Sequence, residues 1–134
     1  MLPFCSGELY MKENVGDSAP YQVLNLAGAI EFLGDKQAVS DLLQPLVISL
    51  SKDIGEVERL LGLGDMPAVA RSLHSLKGFI PVFCHAEFAA QLVDIEKRCR
   101  SDASAQLVAQ VQALLQPLRQ LVEESKQFLR QAGP

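Results

Sequence analysis

The sequence has no tryptophan, and aromatic residues make up only 6% of it. It also lacks an excess of positive charge: 12 Lys and Arg against 16 Asp and Glu give a formal net charge of −4. That balance excludes the broad basic footprint with which a protein neutralises many nucleic-acid phosphates, although it leaves room for phosphate chemistry at one point. Long apolar runs are missing as well. The longest span a few residues, as in Gly78 to Cys84, against the roughly 20 needed to cross a bilayer. Cysteine is scarce. Cys5, Cys84 and Cys99 are odd in number, far apart and without a C-x-x-C pair, so neither a disulfide framework nor a thiolate metal site is indicated, and a reducing cytoplasm is expected. Residues 1–21 lack a basic segment followed by an apolar one and do not read as a secretory signal. With Gly7, Gly16, Pro20 and scattered charges they read as a partly disordered leader or linker.

What is present is helical periodicity. The 134 residues, 49% of them hydrophobic, suffice for one domain with its own core, placed at 22–132. Strict alternation over a strand-length window is absent, so the class expected is all-α. Leu26–Leu33 forms a short first helix closed by Gly34, and Asp35 caps a long second one. There Val39, Leu43, Leu46, Leu50, Ile54, Val57 and Leu61 line one face. Asp65 caps a third helix with Pro67 in its first turn, and the stripe Val69, Leu73, Leu76, Ile80 and Phe83 carries it to a turn around Cys84 and His85. Phe88, Leu92, Ile95 and Cys99 define a fourth helix; Leu107, Val111, Leu115, Leu118 and Val122 define a fifth. Four amphipathic helices with short connections predict an antiparallel up-down four-helix bundle with the short extra N-terminal helix packed as a lid. Pro45 and Pro117 are expected to bend their helices.

The third helix carries the chemistry. On a wheel, Val69, Leu73, Ile80 and Phe83 fall within about 60° of Leu76, and His74 falls at about 160°, away from the core. Its face is shared by Ala70, Arg71, Lys77, Gly78 and Pro81. A lone outward histidine is ordinarily just solvated. Here Lys77, one turn on, places an ammonium beside the ring. Gly78 costs about 1 kcal/mol relative to alanine in a helix, so its position wants a reason, and access to His74 is one. No carboxylate lies between Asp65 and Glu87. His85 beside Cys84 makes two ligands without partners and no metal site.

The segment His74-Ser75-Leu76-Lys77-Gly78 resembles the His-x-Leu-Lys-Gly signature of histidine-containing phosphotransfer (HPt) domains. The likeness continues through residues 24–29, Phe32 to Asp35, the Leu-Gly-Asp turn at 63–65 and the run from His74 to Glu96, and covers about 23–130. It implies a phosphorelay intermediate without autokinase activity, in which His74 accepts a phosphoryl group from a receiver-domain aspartyl phosphate and passes it to another receiver's Asp. A neutral imidazole is a competent nucleophile, and in-line transfer depends mainly on positioning and charge. Lys77 would stabilise the phosphate charge, the receiver would bring the Mg²⁺, and this domain would bind no cofactor. Ala70, Arg71, Gly78 and Pro81 would meet the partner. A hairpin between the third and fourth helices places position 74 opposite about 95–96, where Glu96, often Glu or Gln in the family, would orient His74 or Lys77. Phe79 and Ile80 stand where small residues are usual, and the core is expected to absorb them; Cys84 stands in the turn where glycine is usual, a departure that bears on the hairpin geometry. The resemblance further implies a monomer that binds receiver domains of response regulators or hybrid sensor kinases, in the cytoplasm and without nucleic-acid or membrane contact. Residues 1–21 fit either the start of a freestanding protein or the linker at the C-terminal end of a hybrid kinase. The dimerisation helix of a sensor kinase fits less well, because its phosphoacceptor His is usually followed by Glu and here Ser75 follows. A catalytically inert helical adaptor remains the competing reading.

Overall fold

A computed structural model describes residues 21–132, all helix and turn. Local chemistry sets the boundaries. Helix α1 (Leu26–Leu33) starts where the Asn25 side chain accepts from the Gly28 N–H and stops at Gly34, whose φ of 114° an L side chain rarely adopts. Asp35 accepts from the Ala38 N–H at 2.8 Å and opens α2 (Lys36–Leu63). Gly64, at φ 73°, ends it in a left-handed cap. Asp65 then caps α3 (Met66–His74), with Pro67 in its first turn. After α4 (Ile80–Phe83) and α5 (Ala86–Cys99), the Ser104 hydroxyl accepts from the Leu107 N–H and starts α6 (Ala105–Ala132). Both α2 and α6 run through their prolines, Pro45 and Pro117, without interruption.

The third helix does not continue to Phe83 as its periodicity suggests. It ends at His74 and gives way to turns over 75–79, bonded at shorter range: Leu76 N–H to Leu73 C=O at 3.0 Å and Lys77 N–H to His74 C=O at 3.1 Å. Pro81 explains much of this. It has no N–H for the Lys77 carbonyl and its ring crowds that oxygen, while Gly78 is, proline aside, the poorest helix former nearby. The chain re-enters helix in register, so Leu76, Ile80 and Phe83 all remain buried.

Packing closes a ring: α2 meets α3, α3 meets α5, α5 meets α6 and α6 meets α2. Helix α1 lies against α2 and α4. The core is almost wholly aliphatic, centred on Leu43, Leu50, Leu73, Leu92, Leu114 and Leu118. On α2 the buried stripe uses Val47 and Leu60, with Leu46 and Leu61 only half-buried. This helix faces three neighbours, α1, α3 and α6, so its covered side is wider than a single stripe. Cys84 sits buried in extended backbone, φ −128° and ψ 166°, which needs no glycine, and Ile80 is fully enclosed. Burial pushes the thiols up, to about 12 for Cys84 and about 11 for Cys99, so both behave as small apolar side chains.

The expected leader lies outside the described residues except for Tyr21, which belongs to the folded domain. Its ring is buried and its hydroxyl donates to Gln131 Oε1 at 3.2 Å. Burial, then the Glu124 charge, holds that hydroxyl above the ordinary tyrosine range and so protonated. Glu124, itself buried, accepts from three successive backbone N–H groups, Gln22, Val23 and Leu24, at 2.8–2.9 Å, and from the Gln120 amide at 2.9 Å. The Asn25 N–H then bonds the Phe83 carbonyl at 2.7 Å. Residues 21–25 are thus strapped between α6 and α4.

Candidate functional site

His74 stands in the last turn of α3 with 64% of its side chain exposed. It borders an open hollow of about 390 Å³ formed with Pro67, Ala70, Arg71, Glu96 and Arg100. Helices α3 and α5 pack side by side, and this brings Glu96 under the imidazole: Oε2 lies 3.7 Å from Nδ1. Glu96 is 1% exposed, an expensive place for a charge unless cations meet it. Two do. Lys77 donates to Oε1 at 3.3 Å, and Arg100 donates to Oε2 through Nε at 2.8 Å and a terminal nitrogen at 2.6 Å. Burial opposes ionisation of Glu96, but the hydrogen bonds from Arg100 and Lys77 outweigh it and hold the carboxyl below the ordinary carboxylate range.

A pH dependence follows. A carboxyl with a lowered folded-state pKa contributes stability above its ordinary value of 4.5 and loses that contribution as pH falls through the folded value. Glu96→Gln removes this group, so the variant is expected to lose less stability than wild type in urea titrations between about pH 5 and pH 3. Equal losses would show that the Glu96 cluster has no part in acid sensitivity.

Lys77 is where the motif places it, yet its ammonium leans on Glu96 instead of projecting free. Gly78 is exposed, and a Cβ built there would meet nothing within 4 Å. Ala70 departs from expectation: at 3% exposure it forms the floor of the hollow and offers no outward contact, because α5 covers that edge of α3. Arg71 is exposed on the hollow's rim. Pro81 is exposed too, but borders a separate hollow of about 560 Å³ with Asn25, Gly28, Glu31, Val82 and Phe32, whose side chain is 72% exposed. Sequence reasoning passed over Arg100. Its signal was there: four residues after Glu96 on one helix, it reaches back to the same carboxylate. Among the described residues no three His, Cys, Asp or Glu side chains gather as metal ligands, and no helix is long and apolar enough to cross a membrane.

The fold thus brings an exposed histidine, a buried carboxylate, two cations and a bare glycine to one place. Neither a search of curated proteins nor one of solved structures found a match. The family described as Hpt domain matches residues 41–128, spanning α2 to most of α6. This stretch holds His74, Lys77, Gly78, Glu96 and Arg100 together, and the chain belongs to the Hpt domain family, whose members carry out histidine phosphotransfer in phosphorelays.

Proposed function

We propose that His74 is the phosphoacceptor of a relay step, taking a phosphoryl group from the aspartyl phosphate of one receiver domain and delivering it to the Asp of another. The observation that carries this reading is the position of the Glu96 carboxylate, 3.7 Å from Nδ1, beneath an otherwise exposed ring. A carboxylate on that side favours the tautomer with its proton on Nδ1, which leaves the lone pair on Nε2 of a largely exposed ring. The lone pair attacks phosphorus; the Nε2–P bond forms as the bond from phosphorus to the aspartyl oxygen breaks, and the aspartate leaves as a carboxylate. The ring then carries a positive charge that Glu96 balances. Reversing the step delivers the group to the second receiver. Mg²⁺ belongs to the receiver's side of the complex, and this domain supplies position and charge. We place the reaction in the cytoplasm, with the domain acting as a monomer.

Incubation with a phosphorylated receiver domain tests the proposal directly. The expected result is a gain of one phosphoryl group on this protein, labile to acid and stable to base. Receiver binding without any transfer would instead identify an inert adaptor.

Gly78 provides a second test. Alanine fits there in the free domain, and replacing glycine in a compatible conformation gains about 0.4–1 kcal/mol through the unfolded chain. Gly78→Ala is therefore expected to melt at or slightly above the wild-type temperature while slowing transfer from a receiver, since the methyl stands in the partner's approach. Unchanged transfer rates would remove Gly78 from the site.

A further inference from the structure

We infer that Arg71 is the cation that engages the phosphoryl group on His74, an assignment that rests on the phosphorelay reading above. The phosphoryl group arrives at an unfavourable place for an anion. His74 lies at the C-terminal end of α3, the partly negative end of the helix dipole, and Glu96 adds a full charge beneath the ring. Three cations surround the position, and they are not equivalent. Arg100 is committed to Glu96 through two of its nitrogens, at 2.8 and 2.6 Å. Lys77 is committed to the other oxygen of the same carboxylate at 3.3 Å. Drawing either onto a phosphate strips a partner from a carboxylate that is 1% exposed. Arg71 carries no such cost. It is exposed, shares the hollow with His74 and, among the described residues, has no carboxylate partner. It also precedes His74 by three residues on the same helix, which makes their side chains neighbours. A guanidinium there presents a planar fork that matches two phosphoryl oxygens.

The division of labour differs from the one the motif suggests. Lys77 and Arg100 keep Glu96 ionised and in place, Glu96 orients the ring, and Arg71 meets the incoming charge.

A small phosphodonor separates this role from partner docking, because it has no docking surface. With phosphoramidate, Nε2 attacks phosphorus, the Nε2–P bond forms, the donor's P–N bond breaks and ammonia leaves. Wild type, Arg71→Ala, Arg71→Lys and His74→Gln are compared for the rate of phosphohistidine formation, followed by intact mass and ³¹P NMR, with thermal melts alongside. Arg71→Ala is expected to react about fivefold more slowly than wild type, as suits loss of one charge-assisted contact at a partly exposed site, with an unchanged melt. Arg71→Lys should recover much of the rate, since charge remains and only the fork is lost. Equal rates for wild type and Arg71→Ala with phosphoramidate would overturn the assignment, including the case where a defect appears only with a phosphorylated receiver and Arg71 is a docking residue. If wild type takes no phosphoryl group from either donor, the reading of His74 itself falls and Arg71 falls with it.

Discussion

Replacing His74 with glutamine is expected to abolish phosphoryl acceptance outright while leaving the fold intact. The imidazole is mostly exposed, and its approach to Glu96, at 3.7 Å, is too long for a hydrogen bond, so the domain gives up little packing when the ring is removed. Glutamine has no lone pair on nitrogen suited to attack phosphorus, because its amide nitrogen is delocalised into the carbonyl. The two cysteines among the described residues cannot substitute. Cys84 and Cys99 are buried with thiols pushed to about 12 and about 11, and so carry negligible thiolate at neutral pH. Labelling of wild type and variant by a phosphorylated receiver, with melting curves beside it, checks both halves of this expectation. Equal label on the variant would mean that the acceptor lies elsewhere, and a collapsed melt would mean that His74 is structural.

The largest expected effect on stability comes from a residue with no place in the chemistry. Glu124→Ala removes one buried carboxylate and strands the N–H groups of Gln22, Val23 and Leu24 together. Hydrogen bonds to a charged acceptor contribute more than neutral ones, and buried donors left unpaired cost about 1–3 kcal/mol each, less where water reaches them. Only the Leu24 bond is fully enclosed, the other two being partly so. A loss of about 3–5 kcal/mol is expected, which lowers the melting temperature of a domain this size by about 10 °C or more. Glu124→Gln should fall between, since its amide keeps one acceptor oxygen but turns an N–H₂ group towards donors. Urea and thermal unfolding of the three proteins measure this. A Glu124→Ala variant melting within about 3 °C of wild type would show that the strap over residues 21–25 contributes little to the fold. The Gln120 amide and the Tyr21 hydroxyl sit beside this carboxylate, and hydrogen exchange at residues 22–24 would show the strap loosening even if the bundle held.

Much of the fold was legible along the chain because its signals are local. Asp35 and Asp65 cap helices by reaching three residues ahead, and Gly34 and Gly64 end them by taking backbone angles other residues resist. The aliphatic stripes at helical spacing named most of the core. The end of α3 was less legible, because the apolar stripe from Val69 to Phe83 keeps its phase across the turns at 75–79 and conceals them. Periodicity records which side faces the core. It does not record whether each hydrogen bond closes on the third or the fourth residue back.

For the site, the sequence by itself placed His74, the lysine and glycine that follow it, and the outward direction of the imidazole, because all of these lie on one short segment. It also located Glu96 opposite by counting residues around a hairpin. The tertiary structure alone decided what those residues do to one another. Burying Glu96 made it expensive, and that expense drew in both Lys77 and Arg100, left Arg71 at the hollow without a carboxylate partner among the described residues, and turned Ala70 from a contact surface into a floor. Tertiary structure likewise gave Glu124 three donors from about a hundred residues away. Desolvation depends on which helices close over a side chain, a property of the assembled bundle that no local spacing carries.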